Sequence, residues 1–436
     1  MMNVRQSALA TLTRCDRDGS YSNLALDAAI KAGDFSPADR GLLTALVYGV
    51  IERRITLDYL IDRLADREPA RIDPQVRNIL RLGLYQLRYL DRIPPHAAIN
   101  ESVALATRKS AGFVNALLRG YQRQAKTLTL PARQDGLIPY LSVNYSFPAP
   151  LCERFVRIFG EERAERILAA FAVQPPLTVR VNTLKTTREA LLAELAAQGH
   201  SPTPSPLSPD GILPGSAAPL HEGVASGRFF VQDTASQLCV RTLDARPGDT
   251  VIDACCCPGS KSFGAAIDME NRGRVLCFDL HKNKLSLVSA GAERLGISIL
   301  ETDARDSRTY DPTLCGIADR VLCDVPCSGF GVIAKKPEIR YKDPADSAAL
   351  PDIQLAILEN NCRYVKKGGV LVYSTCTLLP EENEENIARF LARHPEFSPE
   401  PFSHSGITAT GGTLTLTPDE HGTDGFFIAR LRRAAH

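Results

Sequence analysis

The chain of 436 residues has no tryptophan, only three methionines, and twelve cysteines among which no Cys-x-x-Cys pair occurs. The missing pair argues against a zinc ribbon, because such sites take two ligands from each Cys-x-x-Cys turn. No apolar run approaches the roughly 20 residues that a membrane-spanning helix needs. The N-terminal stretch 1–15 turns polar too early for a signal peptide and favours an amphipathic helix. We therefore expect a cytoplasmic protein with free thiols, no membrane contact and no metal.

Charge is divided unevenly along the chain, although the total formal charge is only +1. Residues 1–126 carry 19 basic and 13 acidic side chains, a net charge of +6. The remaining residues carry 32 basic and 37 acidic side chains, a net charge of −5. A basic N-terminal segment favours a polyanionic partner such as nucleic acid, although an ordinary basic surface fits equally well.

Three segments with different patterns follow one another along the chain. Residues 1–126 carry apolar residues at helical spacing and predict an all-α domain. Residues 127–230 combine helical stretches with an alternating strand pattern and a Pro- and Ser-rich loop at 200–215, which predicts a small α+β connector domain. From 231 to 436, short apolar strands alternate with helices. This pattern is typical of a Rossmann-like α/β domain with a mostly parallel sheet.

Acidic residues recur where the predicted strands of the last segment end. Asp253 ends the first strand, and Asp279, Asp303 and Asp324 end the next three. Ligands of such sheets bind at the carboxyl ends of the strands, and an acid after the second strand can bind ribose hydroxyls. The loop CCCPGSK at 255–261 lets backbone N–H groups approach a ligand. It is neither a G-x-G-x-x-G nor a Walker loop, so a plain turn is an equal alternative.

Two cysteines follow strands of the same predicted sheet. Cys327 comes three residues after Asp324 in DVPC, and Cys376 ends the apolar strand GGVLVYSTC. Both would stand at the edge that carries the acidic residues, where a thiolate can act as a covalent nucleophile. One cysteine at a strand end is usually structural, whereas two beside an acid favour a reactive site.

Parts of the N-terminal segment resemble a known domain family. The stretches DRGLLTALVYGV at 39–50, ILRLGLYQL at 79–87 and, most closely, 94–119 are similar to the NusB-like RNA-binding helical domain. The resemblance implies that this domain binds RNA. The alternative is a helical bundle that only docks onto the rest of the chain.

The last segment resembles the Sun-type RNA methyltransferases through CCCPGSK, DVPC and the stretch STCTLLPEENEENIARFLARHPEF at 374–397. Together with a NusB-like domain, it is similar to the bacterial small-subunit ribosomal RNA cytosine-C5 methyltransferase B family. The resemblance implies an enzyme that uses S-adenosyl-L-methionine to methylate carbon 5 of a specific cytosine through a covalent cysteine–cytosine intermediate. Carbon 5 becomes reactive only after a thiolate adds to carbon 6.

The resemblance also implies roles for individual residues. Cys376 is the nucleophile, Cys327 assists release of the methylated base, and Asp324 bonds the ring nitrogen and lies near the cofactor. Asp279 matches the acid that binds ribose, and Asp303 matches the residue beside the adenine. The loop residues that face the methionine part of the cofactor are Cys255, Cys256, Cys257, Pro258, Gly259, Ser260 and Lys261.

The chain departs from the family pattern at several positions. Cys256 and Cys257 replace alanines, Ser260 replaces a glycine, and a tryptophan usual near 145–151 is missing. A serine at 260 costs about 1 kcal/mol if that position needs a positive φ. Two alternatives therefore stay open: an inactive RNA-binding assembly factor, and an enzyme that methylates another RNA such as tRNA.

The expected partner is small-subunit ribosomal RNA in its free or early-assembly form, bound by a monomeric protein. A cytosine within a helix must be unpaired or flipped before a thiol can reach carbon 6, and a finished ribosome could hide it. Faster methylation of assembled subunits than of free RNA would count against this expectation.

Overall fold

The computed structural model describes residues 2–18, 22–65, 71–215 and 220–436. The chain divides into two compact units. The first contains Met1–Val173 and Ile333–Pro344, and the second contains Gln174–Val332 and Ala345–His436. Across the described ranges, no helix is long and apolar enough to cross a membrane.

The first unit is built from α-helices, as predicted for the N-terminal segment. Its described helices are α1 (Val4–Asp18), α2 (Ser22–Ala32), α3 (Pro37–Glu52), α4 (Arg54–Leu64), α5 (Pro74–Tyr89), α6 (Pro95–Ala104), α7 (Ala111–Gln124), α8 (Leu137–Tyr145), α9 (Ala149–Phe159) and α10 (Glu161–Ala170). Side-chain caps fix where two of them begin: Ser36 accepts from the backbone N–H of Asp39, and Asp73 accepts from that of Gln75. Each cap satisfies a backbone donor that has no partner inside its helix.

The apolar side chains that recur at helical spacing form one buried cluster in this unit, as the periodicity predicts. It includes Leu43, Leu46, Val47, Leu57, Leu60, Leu80, Leu84, Val114 and Leu118. Burial of these side chains is the main force that holds the helices together, because isolated helices of this length are marginal in water.

A short segment from the C-terminal half of the chain, Ile333–Pro344, also belongs to the first unit. Within it, Arg340 is 1% exposed and donates from Nη1 to the carbonyl oxygen of Glu52 at 2.7 Å. The hydroxyl of Tyr341 donates to the carbonyl oxygen of Ile51 at 2.5 Å. These two side chains donate to carbonyls in the last turn of α3, where backbone acceptors are no longer fully used by the helix. The helical spacing of residues 1–126 does not predict this arrangement.

The second unit begins with a small antiparallel sheet in the order β2-β3-β1-β4. Its elements are β1 (Val179–Val181), α11 (Arg188–Ala197), β2 (Thr203–Pro204), β3 (Gly211–Leu213), α12 (Leu220–Ala225) and β4 (Phe229–Val231). The predicted α+β character of the connector is confirmed. The prediction of a plain loop at 200–215 is wrong, because short strands within it pair with each other and with β1.

A larger sheet in the order β10-β14-β9-β8-β5-β6-β7, with β13 beside β14, forms the rest of the second unit. Its strands and helices are α13 (Thr234–Leu243), β5 (Thr250–Asp253), α14 (Ser260–Asp268), β6 (Arg274–Asp279), α15 (Lys282–Leu295), β7 (Leu300–Ala304), β8 (Ala318–Asp324), α16 (Leu350–Asn361), β9 (Val365–Thr375), α17 (Glu384–Arg393), β10 (Phe397–Pro399), β13 (Thr413–Leu416), α18 (Pro418–His421) and β14 (Phe426–Arg433). A separate hairpin contains β11 (Phe402–His404) and β12 (Ile407–Ala409).

The strands β7, β6, β5, β8 and β9 are parallel, as predicted for this segment. Both faces of this sheet are covered by helices. Val251 contributes to a buried cluster with side chains of α13, α14 and α15, whereas its neighbour Ile252 contributes to a second cluster with α16 and α17. The alternation of successive side chains between two apolar layers is what a doubly covered sheet requires.

The predicted placement of acids at strand ends is right for three strands and wrong for the fourth. Asp253, Asp279 and Asp324 are the last residues of β5, β6 and β8. The strand β7 continues one residue past Asp303, because Ala304 still pairs with Asp279 of β6.

Candidate active site

The candidate site lies where the order of the large sheet reverses. The strand β5 has β6 on one side and β8 on the other, and the chain leaves each strand at the same edge. Such a reversal opens a crevice at the carboxyl ends of the strands, which is where open α/β sheets bind ligands. The loops after β5, β8 and β9 meet at this edge.

An ion pair occupies the centre of this edge. The ammonium Nζ of Lys261 lies 2.7 Å from Oδ2 of Asp324, and the hydroxyl of Ser374 donates to Oδ1 at 2.7 Å. Burial alone lowers the pKa of Lys261, but the Asp324 carboxylate outweighs it and raises that pKa. Lys261 is therefore a charged donor that orients Asp324, with Ser374 as the second donor. The sequence predicted Lys261 and Asp324 at this edge but did not predict Ser374.

The two predicted cysteines are brought together. The Sγ atoms of Cys327 and Cys376 lie 3.1 Å apart, and the backbone N–H of Cys376 donates to Sγ of Cys327 at 3.3 Å. The thiol contact with Cys376, together with burial, raises the pKa of Cys327 well above its usual value. Cys327 therefore keeps its proton near neutral pH.

Glycines allow the backbone of the Cys376 turn to approach its neighbours closely. The backbone N–H of Gly331 donates to the carbonyl oxygen of Cys376 at 2.9 Å, and that of Gly425 donates to the carbonyl oxygen of Gly331 at 2.8 Å. A Cβ atom at Gly331 would lie 1.9 Å from the Gly425 oxygen. The position therefore excludes every side chain, and the turn is fixed by backbone hydrogen bonds.

The loop after β5 is anchored to the sheet at its first half. Cys256 is 4% exposed, and its backbone N–H donates to the carbonyl oxygen of Phe278 at 2.8 Å. Gly259 has the positive φ of this loop, at 111°, whereas Ser260 is the first residue of α14. The serine therefore stands at a helical position, so the expected strain at residue 260 does not arise.

Asp253 is buried beneath the loop and does not face the crevice. It is 1% exposed, and its Oδ2 accepts from the hydroxyl of Ser262 at 2.6 Å. Burial raises the pKa of Asp253 to about 7, and the nearby Asp324 carboxylate acts in the same direction. Asp253 therefore joins the start of α14 to the end of β5.

The remaining two acids lie farther along the edge. Asp279 is half-buried, and its Oδ1 accepts from the backbone N–H of His281 at 2.8 Å. Asp303 is exposed on the edge strand β7 and pairs with Arg305 at 3.1 Å. The leucine after Asp279, Leu280, is 60% exposed, which is unusual for a large apolar side chain at the end of a buried strand. Sequence reasoning did not single out Leu280.

A buried carboxyl group contacts the turn that follows Cys327, and the sequence did not predict this contact. Glu382 is fully buried, and its Oε2 accepts from the backbone N–H of Ser328 at 3.0 Å. It lies in the acidic run PEENEEN, which resembles an ordinary solvated stretch. Within the described part of the chain, no group of three or more side chains is arranged to hold a metal ion.

Comparison with known proteins identifies the family of each segment. Residues 2–123 match the NusB family, and residues 147–221 match the Methyltr_RsmF/B-like, ferredoxin-like domain. Residues 240–432 match the family 16S rRNA methyltransferase RsmB/F. The resemblance to NusB-like and Sun-type proteins is thereby confirmed, together with the predicted fold class.

Curated relatives extend along the whole chain. The probable ribosomal RNA small subunit methyltransferase B of Bacillus subtilis is 40% identical over 99% of both chains. Its counterpart of the same name from Synechocystis is 39% identical over 100% of both chains. The chain therefore belongs to the ribosomal RNA small subunit methyltransferase B family.

Two solved structures are similar to the chain in fold. The crystal structure of PH0851 matches with a TM-score of 0.80 and 27% identity, and it covers 99% of both chains. The structure of NSun6 from Pyrococcus horikoshii with SFG matches with a TM-score of 0.59 and 26% identity, over 66% of this chain and 99% of that one.

Proposed function

We propose that this protein methylates carbon 5 of a specific cytosine in small-subunit ribosomal RNA, with S-adenosyl-L-methionine as methyl donor. The pair of thiols at the ends of β8 and β9 carries the proposal: Cys327 and Cys376 are 3.1 Å apart. Asp324, which ends β8, is already oriented by Lys261 and Ser374. The names of the full-length relatives support ribosomal RNA as the substrate.

The chemistry assigns each of these residues a step. Cys376 adds through Sγ to carbon 6 of the cytosine, and the electron pair that moves into the ring makes carbon 5 nucleophilic. Asp324 bonds the ring nitrogen and stabilises the charge that develops there. After carbon 5 has taken the methyl group, a base removes the proton on carbon 5, the electron pair of that bond re-forms the double bond between carbons 5 and 6, and Cys376 leaves carbon 6 as a thiolate. Cys327 is placed to assist that release.

The residues at the carboxyl edge fit S-adenosyl-L-methionine, which supplies an electrophilic methyl group when bound. Asp279 ends the second strand, where an acid can accept from both ribose hydroxyls. Leu280 offers an exposed apolar surface beside it for the adenine, with Asp303 on the next strand. The ligand of the related NSun6 structure, SFG, is of the same type. The loop that would face the methionine part comprises Cys255, Cys256, Cys257, Pro258, Gly259, Ser260 and Lys261.

A cationic surface on the helical unit fits the phosphate backbone of the substrate. Arg108, Lys109, Arg119, Arg123 and Lys126 are all exposed. Arg119 and Arg123 are four residues apart on α7, so they lie on one face of that helix. We call the side of α7 that carries Arg119 and Arg123 the α7 cationic face. We propose that this face contacts the phosphates of RNA, which gives affinity and orientation without reading the base sequence.

For the organisation of the chain we propose a helical RNA-binding domain at 1–126, a connector at 127–230 and a catalytic domain at 231–436. We propose that the protein acts as a monomer in the cytoplasm. There it would meet free or early-assembly RNA, whose target base can still be flipped out of its helix.

The test uses radiolabelled S-adenosyl-L-methionine and protein-free small-subunit ribosomal RNA. Wild type and Cys315→Ala, an exposed cysteine outside the candidate site, should both produce labelled 5-methylcytosine. Cys376→Ala should produce none. Cys327→Ala should accumulate a covalent protein–RNA adduct, because release is slowed while attack is retained.

Other outcomes would contradict parts of the proposal. Label on tRNA but not on ribosomal RNA would change the substrate and leave the chemistry intact. Full activity of Cys376→Ala would remove it as the nucleophile. Absence of both labelled RNA and cofactor binding would favour an inactive assembly factor.

A further inference from the structure

The buried carboxyl group of Glu382 is hydrogen-bonded to the turn that carries Cys327. Its Oε2 accepts from the backbone N–H of Ser328 at 3.0 Å and from Nε2 of Gln354 at 2.7 Å. Both Glu382 and Gln354 are fully buried. Burial raises the pKa of Glu382. An amide has almost the same shape as this carboxyl group and keeps one acceptor oxygen.

The hydrogen bonds of this group end on residues that flank the cysteines. Ser328 follows Cys327, and the amide of Gln354 also donates to the carbonyl oxygen of Pro326, which precedes Cys327, at 2.9 Å. The hydroxyls of Ser328 and Thr377 lie 2.7 Å apart. Thr377 follows Cys376, so one connected network holds both turns.

The backbone of Glu382 and the side chain of Gln354 are both bonded to the sheet. The hydroxyl of Tyr373 in β9 donates to the carbonyl oxygen of Glu382 at 2.6 Å and to Oε1 of Gln354 at 3.2 Å. Tyr373 is fully buried. The strand β9, whose last residue precedes Cys376, therefore also contacts the groups that bond to the neighbours of Cys327.

We propose that Glu382 is a positioning residue that sets the separation of the Cys327 and Cys376 thiols and thereby the rate at which the methylated RNA is released. The effect on RNA release rests on the proposed function. The effect on the separation of the two thiols rests on the hydrogen-bond network alone. Glu382 acts through Ser328 and Gln354 and does not touch the substrate.

Two substitutions separate positioning from simple loss of structure. Glu382→Gln keeps a carbonyl oxygen that can accept from Ser328 and Gln354, whereas Glu382→Ala removes the acceptor. Displacement of a reacting group by about 1 Å can cost on the order of 100-fold in rate. We expect Glu382→Ala to release RNA at least about tenfold more slowly and to accumulate the covalent adduct. We expect Glu382→Gln to remain within about twofold of wild type.

A second measurement does not depend on the proposed function. Limited alkylation of the protein alone with iodoacetamide, followed by mass spectrometry, gives the ratio of modification at Cys376 and Cys327. Glu382→Ala should change this ratio by about threefold or more, because the two thiols are then no longer held at a fixed separation. Glu382→Gln should leave the ratio unchanged. If wild type methylates no RNA while the alkylation ratio shifts as expected, the proposed function fails and the positioning role stands.

The opposite result overturns the inference. Wild-type release and a wild-type alkylation ratio in a folded Glu382→Ala protein would show that the network does not set the thiol geometry. If Glu382→Ala does not fold, Gln354→Met carries the same test, because it removes one donor to Oε2 and the bond to Pro326. A Gln354→Met protein that folds with an unchanged ratio and unchanged release would equally refute the positioning role.

Discussion

A methyl group at Gly331 should damage both stability and catalysis, because the backbone that it would strike belongs to the active-site turn. A Cβ atom there would lie 1.9 Å from the Gly425 oxygen and 2.8 Å from the Cys376 oxygen. Carbon and oxygen in contact need more than about 3 Å, so one backbone segment must move by roughly 1 Å. Both segments are backbone, so the clash cannot be relieved by a rotamer change.

The size of the effect follows from these contacts. Overpacking of this kind costs about 1–3 kcal/mol, and weakening the two backbone hydrogen bonds of Gly331 adds about 1–2 kcal/mol. The two contributions sum to about 2–5 kcal/mol, so at roughly 2–4 °C per kcal/mol Gly331→Ala should lower the melting temperature by about 4–20 °C. Displacement of Cys376 by about 1 Å should slow methyl transfer by on the order of 100-fold.

The assay compares thermal unfolding and methyl transfer for wild type, Gly331→Ala and Gly411→Ala. The control has nothing within 4 Å of its Cβ position and does not have a positive φ, so both quantities should stay near wild type. A Gly331→Ala protein that melts within about 2 °C of wild type and keeps its rate would refute the reasoning. It would mean that the turn is not held by these backbone contacts.

Two further substitutions test buried groups of the second unit. The pKa of Asp253, about 7, lies above its unfolded value, so the stabilisation from its protonated form is full below about pH 4 and lost as the pH rises through 7. Asp253→Asn should therefore gain about 3 kcal/mol on wild type between pH 5 and pH 8 in urea unfolding, and parallel pH profiles would contradict this. Gly264→Ala would place Cβ 2.3 Å from Nη1 of Arg180, which is 1% exposed and pairs with Asp268 at 2.6 Å. It should lose about 1–3 kcal/mol in the same assay; unchanged stability would mean that Arg180 can move aside.

The elements that periodicity predicts are those whose stability comes from regular burial. The helices α3, α5 and α7 repeat their apolar residues at the helical period, and β5, β6, β8 and β9 are short apolar runs between helical stretches, so each is predictable from a short stretch. The edge that gathers Lys261, Asp324, Cys327 and Cys376 follows from the rule that parallel strands share a carboxyl end.

Features that depend on distant packing could not be predicted in this way. Glu382 lies in an acidic run that is typical of a solvated surface, and only contacts with Gln354 and Ser328 bury it. The strand β7 extends past Asp303 because Ala304 pairs with β6, and the sequence of β7 alone does not indicate this pairing. The apolar run of β14 is interrupted by Arg430 and Arg432, whose pairing with Glu400 the sequence does not reveal.

The segment Ile333–Pro344 has a consequence for the order in which the protein is made. The hydrogen bonds from Tyr341 to the carbonyl of Ile51 and from Arg340 to the carbonyl of Glu52 can form only after residues 340 and 341 have been synthesised. Synthesis at roughly 5–20 residues per second places an interval of about 10–30 s between residue 173 and residue 333. During that time the helices of the first unit are on the ribosome without these two side chains. The contacts of Arg340 and Tyr341 with α3 are therefore added only after part of the catalytic segment has been translated.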